Sequence, residues 1–394
     1  MALLRDLSEA DRIALFLKDC ITISNFETLG LKPELLRAVR ELGFTLATPV
    51  QSAAIPPALA GRDVLASAAT GSGKSAAFGL PVIQRLSALP RGKTRALILA
   101  PTRELAAQIA AHLTALAKHT NVRIAAVYGG VGFGPQVQAL KRGTDIIVAT
   151  PGRLLDHVGQ GTARLDDVCI LVLDEADRML DMGFLPVVRR FVKMIPVERQ
   201  TLLFSATIPT AIATLSREIL REPERVNLAP IAAAPIRITQ TVYTVDQQRK
   251  TELLLDLLLK DNAIFSALTF TRTKARANRL AAALEKHNVP TERIHGDRSQ
   301  AQRTRALDQF KRGKCRVLVA TDIAARGIDI VDLGHVVNYD VPSIPEDYVH
   351  RIGRTARASA AGDAITFVSR EEEGLFRQIE RTLGKRLDRS STRA

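Results

Sequence analysis

Two stretches carry residue types at spacings that suit phosphate chemistry. Residues 64–75 read Val-Leu-Ala-Ser-Ala-Ala-Thr-Gly-Ser-Gly-Lys-Ser. An apolar strand runs into a loop of small residues, Thr70, Gly71, Ser72 and Gly73, and then meets Lys74, Ser75 and a helix. Small side chains let backbone N–H groups curl around phosphate oxygens. A lysine at this point reaches the β- and γ-phosphates, and the Ser75 hydroxyl is placed to ligate Mg²⁺. The usual phosphate-loop pattern opens with Gly where this chain has Ala68, so the strict pattern fails. What remains, Gly71-x-Gly73-Lys74-Ser75, points to a nucleotide; the competing reading is a glycine-rich turn with no ligand.

The second stretch is Cys169-Ile170-Leu171-Val172-Leu173-Asp174-Glu175-Ala176-Asp177. Four aliphatic residues in a row read as a strand buried on both faces. Three carboxylates follow where that strand should end. In an open parallel α/β sheet, ligands bind at the carboxyl ends of the strands. Alone, the run is equally an acidic turn at a helix start, where carboxylates are favoured. With a phosphate loop upstream, Asp174 gains the task of holding Mg²⁺, usually through water. Glu175, beside it, can orient or deprotonate the attacking water. The two stretches lie on different strands of one sheet and can converge on one γ-phosphate.

The elements that must position these residues alternate regularly. A helix is expected from Pro33 to Leu42, ended by Gly43. Strands are expected at Val64–Ala68, Ala96–Ala100, Arg123–Tyr128, Asp145–Ala149, Ile170–Leu173 and Thr201–Phe204, with helices such as Glu104–Ala117 and Pro135–Lys141 between. Repeated βα alternation reads as a parallel sheet covered on both faces. Residues 229–237 open Ala-Pro-Ile-Ala-Ala-Ala-Pro-Ile, the composition of a linker. Alternation then resumes with strands at Ala267–Thr271, Thr291–His295, Arg316–Ala320, Val336–Tyr339 and Ala364–Val368. Helices Lys250–Leu259 and Lys274–Lys286 fit between them, and a last helix near Glu371–Leu383 closes the chain. The expected division is an N-terminal extension (1–23), a first domain (24–228), the linker (229–237), a second domain (238–383) and a short basic tail (384–394).

The 394 residues suit two domains, and 46% hydrophobic content supports real cores. With no Trp, those cores must be aliphatic. A net charge of +14, spread over both parts of the chain, favours a polyanionic partner; a basic but inert surface is the bland alternative. Cys20, Cys169 and Cys315 lie far apart with no CxxC spacing, against a zinc site or disulfide framework and in keeping with a reducing cytoplasm. The mixed charges of the first residues match neither a signal peptide nor a membrane span.

Asp174-Glu175-Ala176-Asp177 spells the signature for which the DEAD-box RNA helicases are named, and from about Phe26 to about Phe367 the chain resembles that family motif by motif. Gly43-Phe44 and Thr48-Pro49-Val50-Gln51 are similar to its adenine-reading motif, with Phe26 in place of its isolated aromatic. The Gln51 amide can donate and accept at once, as adenine's paired edge atoms require. Phe44 can stack on the base; without the resemblance, Phe26 and Phe44 would read as core. Ser205-Ala206-Thr207 resembles the motif that couples hydrolysis to RNA engagement, which implies hydrogen bonds to Asp177 or His350. A helix cap before Pro209 is the plainer use of those hydroxyls. Asp329, in Ala325-Arg326-Gly327-Ile328-Asp329, is implied to contact the ribose and the water region of ATP. In His350-Arg351-Ile352-Gly353-Arg354-Thr355-Ala356-Arg357 the family usually has Gly where Ala356 stands. Arg354 and Arg357, three apart on an expected helical turn, are the implied arginine fingers, supplied across a cleft from the second domain. A basic helix face on the surface is the alternative.

The same resemblance implies RNA contacts at Pro101, Thr102 and Arg103 with Glu104 and Leu105, at Gly129 and Gly130, and at Thr150, Pro151, Gly152 and Arg153. In the second domain it implies Arg272, Thr273, Gly296, Asp297, Gln300, Arg303 and Thr321. N–H groups, hydroxyls and single arginines suit the sugar–phosphate backbone and carry little sequence information. Few aromatics are present for a base-stacking platform, and a 2′-hydroxyl would tell RNA from DNA. The implied protein is α/β, two tandem RecA-like domains each with a parallel sheet flanked by helices. It uses ATP and Mg²⁺, binds RNA without sequence preference, is cytoplasmic, bacterial and monomeric, and couples RNA-stimulated ATP hydrolysis to local, non-processive unwinding. Within the family, His295-Gly-Asp-Arg-Ser-Gln and Asp347-Tyr-Val-His350 resemble bacterial RhlE-type enzymes. Ribosome assembly and messenger RNA decay both fit, with partner proteins unnamed. Two rivals stay open. One is an ATP-gated RNA clamp with little unwinding. The other is a DNA-dependent ATPase of superfamily 2, against which the Gln51 motif and the acid run argue.

Overall fold

A computed structural model describes residues 24–69, 71–228, 238–260, 264–325, 333–355 and 362–390. The expected N-terminal extension and linker lie outside these residues. The chain divides into two compact units, residues 1–230 and 231–394.

The first unit is built on seven strands: β1 (Val64–Ser67), β2 (Ala96–Leu99), β3 (Ile124–Val127), β4 (Ile146–Ala149), β5 (Ile170–Leu173), β6 (Gln200–Ser205) and β7 (Glu224–Asn227). They form one sheet in the order β3-β4-β2-β5-β6-β1-β7, with every pairing parallel. Parallel strands need crossovers, and the helices that supply them cover both faces. The period of two divides each strand between two cores. Ile170, Val172, Leu202 and Phe204 enter one cluster, and Leu171, Leu173 and Leu203 enter the other. This double burial is why β5 reads as an unbroken aliphatic run. The expected strands are all present, shifted by a residue or so at their ends. β7 escaped the sequence reading because Glu-Arg-Val-Asn is an edge strand that buries only Val226.

The second unit repeats the plan with β8 (Ile238–Thr244), β9 (Ala267–Thr271), β10 (Thr291–Ile294), β11 (Val317–Thr321), β12 (His335–Asn338), β13 (Gly362–Val368) and β14 (Arg389–Ser390). Its order is β10-β11-β9-β12-β13-β8-β14, again parallel. Part of the expected basic tail is structured. Leu387 is buried, β14 pairs with β8, and the Arg389 guanidinium binds Glu373 at 2.8 Å. β8 was not foreseen either: Ile-Thr-Gln-Thr-Val-Tyr-Thr buries only Val242 fully, and its apolar signal is diluted by threonines. The architecture is thus two seven-stranded parallel sheets flanked by helices, the tandem RecA-like arrangement.

Candidate nucleotide and RNA sites at the carboxyl edges of the sheets

Strand order sorts the candidate residues of the first unit. Those assigned to the phosphates, to hydrolysis and to coupling follow β1, β5 and β6, which are neighbours, while Phe26, Phe44 and Gln51 precede β1. Those assigned to RNA follow β2, β3 and β4, neighbours on the other side of β5. One carboxyl edge therefore presents two adjacent fields.

In the nucleotide field, β1 runs into the phosphate loop and the helix Lys74–Ser87. Gly73 caps that helix at φ 93, and Gly71 has φ 81, both left-handed. Lys74 is buried, and its ammonium donates to the Ala68 carbonyl at 3.0 Å. Ser72 donates to the Ala69 carbonyl at 2.7 Å, and Ser75 sits half-buried one residue into the helix. Thr70 lies outside the described residues. Gln51, at the start of the helix Pro49–Leu59, ties itself to the loop. Its amide nitrogen donates to the Gly73 carbonyl at 3.1 Å, and its amide oxygen accepts the Thr48 N–H at 2.9 Å. A Cβ at Gly73 would stand 2.4 Å from that amide nitrogen.

At the end of β5, Asp174 and Glu175 are buried. Burial pushes the Asp174 carboxyl up to about 6; Lys74 opposes this, and Glu175 and Asp177 add to it. Glu175 is a non-glycine in the left-handed region, φ 53, a strained geometry of the kind that clusters at functional sites. One of its oxygens is held by Arg178 at 2.9 Å, and both side chains are almost fully buried. Arg178 lies one residue beyond the acid run, and its signal in the sequence is the i, i+3 spacing of opposite charges at a helix start. Asp177 gathers the end of β6. Its N–H donates to the Ser205 hydroxyl at 3.0 Å, and one carboxylate oxygen accepts from both the N–H (2.8 Å) and hydroxyl (3.0 Å) of Thr207. These hydroxyls do not cap the next helix, which starts at Thr210 behind Pro209 with no side-chain cap.

Phe26 and Phe44 stack at 6.3 Å, and Phe44 meets His112 edge-on at 5.9 Å. Beside them opens a cleft of about 320 Å³ lined by Asn25, Phe26, Leu36, Arg40 and Phe44 among others. Gln51 does not line it.

In the RNA field, Thr102 caps the helix Arg103–Leu116 by accepting the Leu105 N–H at 3.3 Å, while Pro101 is buried. The Arg103 guanidinium lies against Gly129, where a Cβ would come within 3.2 Å of it. Gly130 has φ 82. Thr150 follows β4 as the N-cap of the helix Pro151–Gly159, whose first turn holds Gly152 and Arg153. Arg153 reaches back to the Val131 carbonyl at 3.1 Å and lies over the Phe133 ring at 5.6 Å. Phe133 stacks on buried His157 at 3.9 Å. The structure thus brings the three segments together.

In the second unit the candidates follow β9, β10 and β11, again neighbours. Arg272 and Thr273 follow β9, and Thr273 caps the helix Lys274–Lys286 by accepting the Arg276 N–H at 3.2 Å. Asp297 holds Lys274 at 2.5 Å, beside Gly296. Gln300 and Arg303, in the helix Gln300–Lys311, and Thr321, at the end of β11, are buried, more enclosed than backbone contacts were expected to be. Arg303 donates to the Ala324 carbonyl at 3.3 Å. His350 sits in the helix Pro345–Ile352, 3.9 Å from Asp347. That helix ends at Ile352 with Gly353 as its cap, so Arg354 falls in the following turn and not on the expected helical turn. Arg354 is buried; Asp329 and Arg357 lie outside the described residues. Arg351, to which the motif pattern assigns no role, binds Asp322 through two nitrogens (2.6 and 2.7 Å) and lies over Phe270 at 4.9 Å. It fixes the end of β11 to the helix after β12.

Among the described residues no helix is long and apolar enough to cross a membrane. Residues 48–215 match the family model described as DEAD/DEAH box helicase, and residues 249–359 match the helicase conserved C-terminal domain. The chain is 45% identical over 365 residues to the ATP-dependent RNA helicase CshA of Listeria monocytogenes, covering 93% of this chain and 70% of that protein. It is 43% identical to the CshA of Geobacillus kaustophilus, covering 93% and 78%. Among solved structures it is similar to Dbp5 of S. cerevisiae bound to RNA and ADP BeF3, at 30% identity and a TM-score of 0.82, covering 94% of this chain and 96% of that one. A phosphate loop and an acid-tipped strand set in one parallel sheet, followed by a second sheet of the same order, therefore belong to a chain of the DEAD-box RNA helicase family.

Proposed function

We propose that this protein is an ATP-dependent RNA helicase that uses RNA-stimulated ATP hydrolysis to open short duplexes locally. The observation that carries the reading is Asp177. It follows the two acids assigned to hydrolysis and grips both hydroxyls of the Ser205–Thr207 segment. A change at the γ-phosphate therefore has a short, buried route to the end of β6.

Lys74 and the N–H groups of Gly71 to Ser75 hold the phosphates. The cleft beside Phe26 and Phe44 takes the base, and Gln51 links that side to the phosphate loop through Gly73. Ser75 and Asp174 suit Mg²⁺, which accepts one or two protein oxygens and completes its shell with water and substrate phosphate. Asp174 is buried at the strand end, with the Lys74 charge acting on its carboxyl. Held by these two residues, Mg²⁺ would supply positive charge against that developing on the phosphates. Glu175, with one oxygen held by Arg178, offers the other to the attacking water. Arg354, Arg357 and Asp329 complete hydrolysis on the strength of the family resemblance.

RNA is gripped through its backbone by the segments after β2, β3 and β4 and after β9, β10 and β11, in a monomeric cytoplasmic protein. The test is ATPase activity with and without single-stranded RNA, together with short-duplex unwinding. Stimulation by DNA and not RNA overturns the substrate. RNA stimulation with ATP-dependent binding and no strand separation makes the protein a clamp.

A further inference from the structure

Lys250 is a fully buried lysine that none of the proposed chemistry uses. Its ammonium donates to the carbonyls of Tyr339 (2.8 Å) and Phe367 (3.3 Å), binds one carboxylate oxygen of Glu372, and lies 3.6 Å from Asp340. Glu372 and Asp340 are themselves buried. The second oxygen of Glu372 accepts from the Arg272 guanidinium at 2.9 Å. Asp340 accepts the Arg272 N–H at 2.9 Å and pairs with Arg276 at 2.7 Å. The members come from segments that follow β9, β12, β13 and β8, four adjacent strands. Desolvation lowers the lysine's pKa, and the two carboxylates oppose that shift. A buried ion set of this kind seldom adds net stability over an apolar core. Arg272, with 40% of its side chain exposed, is its most accessible member.

We propose that the Lys250–Glu372 pair is a positioning device that holds the Arg272 guanidinium in place for a phosphate of the RNA backbone. The inference rests on the reading of Arg272 as an RNA contact. Lys250 fixes Glu372 from below, and Glu372 with the Val341 carbonyl (3.1 Å) fixes one edge of the guanidinium. An arginine already ordered before binding loses less rotamer freedom when the phosphate arrives, an advantage of roughly 2- to 10-fold in affinity.

The full chain is tested with a fluorescein-labelled single-stranded RNA decamer and by RNA-stimulated ATPase activity. Three variants are compared: Arg272→Ala, the paired replacement Lys250→Met with Glu372→Leu, and their combination. The paired replacement fills the site with apolar side chains and leaves no lone buried charge. It is expected to raise the RNA concentration for half-stimulation roughly 2- to 10-fold, to lower the slope of log affinity against log salt by about one, and to leave turnover at saturating RNA and the KM for ATP within about twofold. It should add nothing on top of Arg272→Ala. An unchanged RNA requirement and salt slope, beside a clear loss in Arg272→Ala, overturns the positioning role while sparing the RNA reading. No loss in Arg272→Ala overturns both. If the paired replacement does not fold, Glu372→Gln, which weakens the grip on Arg272 and keeps the shape, is read by the same two quantities and the same criteria.

Discussion

Replacing Gly73 by Ala tests how the nucleotide field is held together. Gly73 has φ 93, and an added Cβ would stand 2.4 Å from the Gln51 amide nitrogen and 3.0 Å from the Thr48 hydroxyl. The left-handed backbone costs a non-glycine roughly 1–2 kcal/mol. Gln51 must also move, and it gives up its bonds to the Gly73 carbonyl and the Thr48 N–H. At about 1 kcal/mol each, these bring the total to roughly 3–4 kcal/mol. The cost falls on the loop conformation that phosphates need, so ATP affinity should drop on the order of several hundredfold. A fluorescent ATP analogue titrated against each variant measures it, and circular dichroism checks that the sheet persists. Gln51→Ala alone should cost about thirtyfold, through the same two bonds. The decisive measurement is the double variant. Gly73→Ala has already displaced Gln51, so removing the amide should then change affinity by less than about twofold. If the two losses simply multiply, Gln51 is not coupled to the loop through Gly73 and the reasoning fails.

Three further outcomes are expected. Glu175→Gln should keep ATP binding and nearly abolish turnover, trapping an RNA complex on native gels; wild-type turnover would remove Glu175 from the role of base. Arg354→Ala should depress RNA-stimulated turnover by on the order of a thousandfold with little change in ATP affinity without RNA; lost affinity with normal turnover would refute the finger. Asp174→Asn should raise the melting temperature of the nucleotide-free, metal-free protein at pH 7.5. The folded-state pKa of Asp174 is raised from 3.8 to about 6, so its burial costs stability above pH 6. That cost fades as pH falls through the window from 6 to 3.8 and is gone below it. The gain should therefore close by pH 4, and a gain that persists unchanged there would contradict it.

Much of this was legible in the sequence because burial on two faces leaves a plain mark. Ile170–Leu173 and Ala267–Thr271 were placed without error, since each is an apolar run that both sheet faces bury. β7 and β14 were not, because an edge strand buries little and its residues look like loop. The site was legible where chemistry restricts residue type: a lysine and serine after glycines, three acids after a strand. It was illegible where function depends on a partner elsewhere in the fold. Nothing in the sequence says that Gln51 reaches Gly73, or that Lys250 meets Glu372. Those pairs are set by which strands become neighbours, and periodicity does not report strand order. Arg354 shows the opposite error, in which a three-residue spacing suggested a helical turn that Gly353 ends first.

The RNA field also explains a residue preference that charge alone would not. Thr102 and Thr273 each follow a strand and open a helix, and in both the hydroxyl oxygen accepts a backbone N–H of the first turn. Thr150 stands at the same kind of junction. Aspartate caps a helix at least as well as threonine, but it would set a negative charge where the proposed ligand carries its own. A threonine that accepts through its oxygen still has its hydroxyl proton to donate. The same side chain can therefore finish the helix and face a phosphate oxygen, with no charge to repel it and no base to read. If these segments do bind RNA, caps, glycines and single arginines would grip any backbone of the right shape. That matches a chain whose basic excess is spread over both units and whose aromatic content is only 4%.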